Sequence, residues 1–217
     1  MSESALPALP ELPASARIRA RELIQRSGRA LLGLVGPPGA GKSTLAAALQ
    51  AEFAAVAQVV PMDGFHLANI ELERLGRRAR KGAPDTFDSA GYVALLRRLL
   101  VQADDEIVYA PEFRREIEEP IANAIPVHAR TQLVITEGNY LLLDEGPWAQ
   151  VKDLLDEIWY VDVDDSLRVD RLTQRHQQFG RSAEDAASWV ASTDEPNARL
   201  IEASRARASF VFRWDDA

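Results

Sequence analysis

Cysteine is absent from this chain of 217 residues. Without a thiol the protein has no disulfide bond, no zinc–thiolate site and no cysteine nucleophile. Long apolar runs are absent too, since no uninterrupted run approaches the roughly 20 residues that a transmembrane helix needs. The N-terminal stretch MSESALPALPELPASARI is acidic and broken by proline, which is not typical of a secretory signal. We therefore expect a cytoplasmic protein without a membrane partner.

Basic residues are in deficit, with 25 lysines and arginines against 33 aspartates and glutamates, a formal charge of -8. Broad nucleic-acid binding needs a basic face that displaces counterions from phosphates. The charge therefore predicts a protein that does not bind nucleic acid. A homodimer remains open.

The order of apolar segments predicts one α/β domain. Short apolar runs at 30–35, 57–61, 106–110, 131–136 and 157–163 read as strands, and helical patterns at 14–27, 42–53, 91–102, 148–155 and 166–179 lie between or beside them. Strands that alternate with helices favour a parallel sheet covered on both faces. Residues 112–130 are irregular and contain two prolines, which suggests a small projecting hairpin. We expect residues 1–13 to be a flexible arm and 14–217 a single domain.

A glycine-rich loop between the first strand and the next helix matches G-x-x-x-x-G-K-[ST] at every fixed position. Glycines let consecutive backbone N–H groups surround a phosphate, lysine supplies a mobile positive charge, and a serine hydroxyl suits Mg²⁺. The predicted nucleotide-binding residues of this loop are Gly36, Pro37, Gly39, Ala40, Gly41, Lys42, Ser43 and Thr44.

Two acidic residues follow predicted strands, at the edge of a parallel sheet where ligands bind. Asp63 is placed to orient an acceptor hydroxyl or to take its proton, although Asp-Gly is also a common turn pair. Glu137 stands where a second acid contacts Mg²⁺ through a water, although a solvated or capping carboxylate is the alternative.

Basic residues further along the chain offer charge for phosphoryl transfer. Arg168, Arg171 and Arg175 share one face of a predicted helix, and Arg171 and Arg175 are the stronger candidates. His176 beside them contacts phosphate or simply packs. The basic segment 77–82 either binds an anionic substrate or is solvated, with solvation slightly favoured. The four tryptophans are expected in the core or at an interface.

Six ordered motifs together resemble the P-loop kinases of the phosphoribulokinase, uridine kinase and type I pantothenate kinase superfamily. They are GPPGAGKST, PMDGFHLAN, RKGAPDTFD, APEFRREIEEPI, LVITEGNYLLL and RLTQRH. The chain is most similar to the bacterial branch labelled fructose transport system kinase or nucleoside/nucleotide kinase.

The resemblance implies a three-layer, nucleoside-kinase-like P-loop fold with a five-stranded parallel core and a small lid, and ATP with Mg²⁺ as donor. It places the catalytic aspartate at Asp63, the second acid at Glu137, and the lid arginines at Arg171 and Arg175. It also places Asn197 near the adenine. Uridine kinases carry serine where Gly64 stands, and pantothenate kinases are longer, so a sugar, a nucleoside or a pantothenate-like acceptor stays open.

Two functions are therefore compatible with the sequence. The first is an ATP-dependent transfer of the γ-phosphoryl group to a hydroxyl of a small molecule. The second is a nucleotide-dependent switch or ATPase that acts through a protein partner. The chain between Asp63 and Asp88 is long enough to build an acceptor pocket, which favours the kinase.

Overall fold

The structure, a computed structural model, describes residues 9–215. The first eight residues of the predicted arm lie outside the described residues. The strands are β1 (Ala30–Val35), β2 (Ala57–Val59), β3 (Ile107–Arg114), β4 (Glu119–His128), β5 (Leu133–Gly138), β6 (Glu157–Val161) and β7 (Phe210–Phe212). The α-helices are α1 (Ala14–Ile24), α2 (Lys42–Glu52), α3 (Asn69–Arg74), α4 (Ser89–Leu100), α5 (Asp165–Gln178), α6 (Ala183–Trp189) and α7 (Glu195–Glu202).

Five strands form a parallel sheet in the order β2-β5-β1-β6-β7, which confirms the predicted α/β fold class. All six residues of β1 and all six of β5 are buried, as expected for central strands covered by layers on both faces. Side chains alternate along β1: Leu31 and Val35 join one hydrophobic cluster, and Leu32 and Leu34 join the other. The core is thus divided by the sheet into two layers.

The strand expected at 106–110 does not enter the parallel sheet. It is the start of β3, which pairs with β4 in an antiparallel hairpin. The hairpin predicted at 112–130 is therefore longer than expected, because its first strand begins at Ile107. Val108, Ala110 and Val127 anchor the hairpin in the core. The apolar run alone could not distinguish the two sheets, because both kinds of strand bury apolar side chains.

The helix predicted at 148–155 is wrong, because two short 3₁₀ turns occupy this part of the chain (Gly146–Gln150 and Lys152–Leu154). Trp148, Val151 and Leu154 all pack into the same hydrophobic cluster. Their spacing of three places them on one edge of a 3₁₀ turn, where residues i and i+3 eclipse. Between residues 9 and 215, no helix combines the length and the apolar character needed to cross a membrane.

Candidate active site

The glycine-rich loop lies where β1 ends and α2 begins. Gly39 and Gly41 have φ values of 80° and 91°, a backbone region that residues with a Cβ rarely adopt. Gly41 also precedes α2 directly, and no side chain caps this helix N terminus. The first N–H groups of α2 are therefore available to an anion, and the helix dipole favours negative charge at the same point.

Lys42 is buried beneath this loop. Its Nζ donates hydrogen bonds to the carbonyl oxygens of Gly36 (2.8 Å) and Pro37 (3.1 Å). Burial lowers the pKa of Lys42 to about 8, against the opposing attraction of Glu137 and Asp63. Among the described residues, the hydrogen-bond partners of this ammonium group are neutral carbonyl oxygens, so its charge is available to a phosphate.

The two predicted acids converge on the loop. Glu137, near the end of β5, is buried and accepts a hydrogen bond from Oγ of Ser43 at 3.1 Å. Burial, and then the nearby charge of Asp63, raise the pKa of Glu137 above its usual range. Since Asp63 follows β2 and Glu137 ends β5, adjacent strands of the sheet deliver both carboxylates to one edge.

Asp63 lies in a 3₁₀ turn (Met62–Phe65) that the β3–β4 hairpin covers. A Cβ on Gly64 would lie 2.3 Å from the carbonyl oxygen of Pro111, so only glycine permits this contact. Nδ1 of His66 donates to the carbonyl oxygen of Asp63 at 2.7 Å, which closes the turn. The Asp-Gly pair therefore places Asp63 under the hairpin and does not mark a free surface turn.

Oxygen donors at the loop suit Mg²⁺. The hydroxyl of Ser43 and the carboxylate of Glu137 are hard ligands, and Mg²⁺ is usually bound by one or two such groups together with substrate phosphates. In the part of the chain that the structure describes, no group of three or more acidic or histidine side chains could hold a metal by itself. A metal at this edge would thus depend on the nucleotide.

Arg171 and Arg175, the predicted lid arginines, line the same cleft as the loop, and so does Asn197. Burial, followed by the charge of Arg115, lowers the pKa of Arg175. Arg168 lies two turns before Arg175, in the first turn of α5, and its side chain is buried there. Its guanidinium binds carboxylates of its own chain, those of Asp165 and Glu195, and so it serves packing.

His176, which also lines the cleft, has a carboxylate partner within the protein. Its Nε2 lies 2.8 Å from Oδ2 of the buried Asp194, at the end of a short π-helical segment (Val190–Asp194) between α6 and α7. The two adjacent acids Asp194 and Glu195 thus bind His176 and Arg168, and they tie α5 to the segment that carries Asn197.

One cleft of about 1440 Å³ contains the loop, both acids and the lid arginines. Beyond Asp63 it continues into an acceptor side, which we define by its lining residues. These are His66, Arg78, Lys81, Gly82, Phe87, Phe113, Arg115 and Glu118.

Several cleft residues had no role in the sequence-based prediction. Arg115 lies in a motif that carried the resemblance, but nothing in the motif assigns it a function. For the basic segment 77–82, binding of an anionic substrate and solvation were both open, with solvation slightly favoured; the partly buried Lys81 of this segment faces the cleft. Trp214 also lines the cleft, with Nε1 3.6 Å from the Cβ position of Gly41. The ring of Trp214 packs edge-on against the buried Phe212, as expected for a core residue, but the side chain also faces the cleft.

The boundary at residue 13 between the flexible arm and the single domain stays a prediction. Within the described part of the arm, Leu12 is buried in the same cluster as α1 and α2. Leu9, Pro10 and Glu11 line the cleft.

Comparison with known proteins identifies the family. The model of the phosphoribulokinase/uridine kinase family matches residues 31–213. The chain belongs to this family. A candidate uridine kinase of Schizosaccharomyces pombe is 35% identical to this family member over 206 residues, which span 90% of the chain and 87% of the relative.

Solved structures agree with this placement. A crystal structure of a candidate fructose transport system kinase from Silicibacter sp. TM1040 has a TM-score of 0.83 and 37% identity, over 93% of this chain and 99% of that one. YFH7 of Saccharomyces cerevisiae, with a TM-score of 0.77 over 91% and 98% of the two chains, shares the fold at 19% identity. This member of the phosphoribulokinase/uridine kinase family is therefore a small-molecule kinase that uses ATP.

Proposed function

We propose that this kinase transfers the γ-phosphoryl group of ATP to an alcohol group of a small acceptor, with Asp63 as the residue that engages the acceptor hydroxyl. The observation that carries this proposal is the convergence of Lys42, Glu137 and Asp63. The charges of both acids act on the buried ammonium of Lys42, so the three side chains share one electrostatic environment. Phosphoryl transfer needs this combination of a phosphate-binding cation, a metal-binding acid and a hydroxyl-binding acid.

Residues of the loop bind the donor in this scheme. The N–H groups at the start of α2 and the ammonium of Lys42 hold the β- and γ-phosphates, and Asn197 lies toward the base. Ser43 and Glu137 hold Mg²⁺, which would neutralise phosphate charge during transfer. Arg171 and Arg175 stabilise the negative charge that develops on the transferred group.

On the acceptor side, Asp63 orients the hydroxyl and takes its proton as the new oxygen–phosphorus bond forms. The names of the relatives suggest nucleoside or sugar acceptors, both of which carry alcohol groups. The alternative is a switch or ATPase that acts through a protein partner. Such a switch or ATPase would not need an acceptor pocket, whereas aromatic and basic side chains extend the cleft beyond Asp63.

Substitution of Asp63 by asparagine tests the proposal. ADP release is first measured over fructose, uridine, pantothenate and D-glycerate to find the acceptor that stimulates turnover. Asp63→Asn should then lower kcat about 10²- to 10⁴-fold, the usual contribution of a general base. Its affinity for ADP in calorimetry should stay near that of the wild type, because Lys42 and the loop remain.

The matched control is Asp104→Asn, which removes an exposed carboxylate far from the cleft. This control should keep wild-type turnover. A wild-type kcat in Asp63→Asn would show that Asp63 is not the base.

A further inference from the structure

The acceptor side of the cleft carries three cations, Arg78, Lys81 and Arg115, of which the proposed transfer step uses none. Nζ of Lys81 donates to Oδ1 of Asn69 at 2.7 Å and to the backbone carbonyl of Glu118. Both partners are neutral oxygens. Within residues 9–215, no carboxylate oxygen lies within 4.0 Å of this ammonium.

More distant carboxylates do act on Lys81, but they do not bind it. Glu119 attracts the ammonium from a distance while its two carboxylate oxygens accept hydrogen bonds from the backbone N–H of Asn69, at 3.0 and 3.1 Å. Glu118 contributes a weaker attraction, and its side chain is exposed. Burial lowers the pKa of Lys81 in spite of both. One of the three ammonium hydrogens thus remains free to bind a ligand.

The positive charge of Arg115 is likewise only weakly neutralised within the protein. Among the described residues, its one ion pair is a long contact of 3.4 Å between Nη2 and Oδ2 of Asp63. Its guanidinium carbon lies 6.0 Å from the ring centroid of Phe113, and Nζ of Lys81 lies 5.0 Å from the same centroid. The two cations therefore flank one aromatic ring in the acceptor side.

Arg78 has no ion pair among the described residues, although its neighbours do. Arg77 and Arg80 both bind the carboxylate of Asp85, at the outer side of the same basic segment. Arg78 lines the mouth of the cleft instead. The segment thus separates into cations that are neutralised within the protein and cations that face the acceptor side.

Aromatic rings complete this part of the cleft. The ring of His66 lies between those of Phe87 and Phe113, at centroid distances of 4.0 and 4.5 Å. Burial lowers the pKa of His66, which disfavours the charged imidazolium form. The positive charge on the acceptor side is thus that of the lysine and the two arginines, and the exposed Glu118 is the one carboxylate among its lining residues.

We propose that the acceptor carries an anionic group, a carboxylate or a phosphate, in addition to the hydroxyl that Asp63 engages. Lys81 and Arg115 bind this group, and Arg78 attracts it at the cleft mouth. The inference rests on the proposed kinase function and names the substrate class of the same site. A cation with unused donors in a partly dehydrated cleft gains a charge-assisted hydrogen bond from an anion, whereas a neutral polyol leaves its charge uncompensated.

Anion binding by nucleotide-saturated protein tests the inference without turnover. The protein is saturated with a non-hydrolysable ATP analogue and Mg²⁺, so that the loop is occupied, and malonate or inorganic phosphate is then titrated by calorimetry. We expect saturable binding of at least one anion, weakened about tenfold or more in Lys81→Gln. Lys81→Arg should retain binding, which separates loss of charge from loss of fold.

The matched control for this titration is Arg80→Gln. It removes a cation of the same segment that pairs with Asp85, so anion affinity should not change. No saturable binding of either anion to the nucleotide-saturated wild type would overturn the inference. Equal binding by the wild type and Lys81→Gln would also overturn it.

Pairs of acceptors that differ in charge provide the second test. D-glycerate is compared with glycerol, fructose 6-phosphate with fructose, and pantothenate with pantothenyl alcohol. We expect kcat/KM to be about 10²-fold higher for the charged member of the accepted pair, and Lys81→Gln to raise its KM more than it lowers kcat.

The outcomes separate the two proposals. Equal or better phosphorylation of the neutral members would overturn the anionic acceptor and leave the kinase function standing. Absence of transfer to all six compounds and to uridine would count against the proposed function, and the anion titration would then decide the inference alone.

Discussion

Replacement of Gly39 by alanine tests the contact between the phosphate-binding loop and the lid helix α5. The glycine has φ 80°, and a Cβ built on it would lie 2.8 Å from Cγ of Leu172 and 2.9 Å from the carbonyl oxygen of Arg168. The second neighbour is backbone, so it cannot rotate away. Either the loop or α5 has to move to accommodate the methyl group.

Two costs contribute to the expected loss of stability. Left-handed backbone costs a residue with a Cβ about 1–2 kcal/mol. Overpacking a close contact adds about 1–3 kcal/mol. We therefore expect Gly39→Ala to lower the free energy of unfolding by about 2–5 kcal/mol. Each kcal/mol corresponds to roughly 2–4 °C in Tm for a chain of this size. Affinity for ADP should fall as well, because the loop is displaced.

Gly28→Ala isolates the first cost, that of the left-handed backbone. Gly28 has φ 87°, almost the same backbone conformation, but nothing lies within 4 Å of its Cβ position. Urea denaturation should therefore show a loss of about 1–2 kcal/mol for this variant, with ADP affinity unchanged. If Gly39→Ala is no more destabilising than Gly28→Ala, the loop does not pack against α5 as described.

Three further predictions concern charged groups of the site. ADP affinity should fall about tenfold per pH unit above pH 8, because the pKa of Lys42 in the free protein is about 8 and only the protonated ammonium attracts phosphate. An ADP affinity that does not change from pH 8 to about 9.5 would contradict this. Glu137→Gln should raise the Mg²⁺ concentration for half-maximal rate about 10- to 100-fold, and an unchanged Mg²⁺ titration would remove Glu137 from the metal site. Arg168→Met should lower the free energy of unfolding by about 2 kcal/mol, because it leaves the carboxylate of Glu195 with only a long contact of 3.9 Å to Arg199 among the described residues. The expected loss is below the range for a fully buried pair because the side chain of Glu195 is 28% exposed, and wild-type urea stability would show that the pair with Arg168 does not form.

The donor side of the site was predictable from sequence because its chemistry is local. The glycines, Lys42 and Ser43 lie within one short loop, and their spacing follows from the shape of a phosphate. Asp63 and Glu137 were recognisable because each follows a strand of a parallel sheet, and the carboxyl ends of such strands share one edge. The structure places these residues together as expected.

The acceptor side was not predictable because it is built from contacts between distant segments. Lys81 looks like its neighbours Arg77 and Arg80 in sequence, and only the fold shows that Asp85 neutralises those two. The role of Arg115 depends on the β3–β4 hairpin, whose register brings it to Asp63 across 52 positions of the chain. The burial of Arg168 likewise depends on a distant segment, since its carboxylate partner Glu195 lies on α7.

A product balance tests the central claim most directly. The protein is incubated with ATP, Mg²⁺ and the acceptor that most stimulates ADP release, and ADP, inorganic phosphate and phosphorylated acceptor are quantified together. Phosphoryl transfer predicts one phosphorylated acceptor for each ADP and almost no inorganic phosphate. Equal amounts of ADP and inorganic phosphate, with no phosphorylated acceptor, would show hydrolysis and contradict the account.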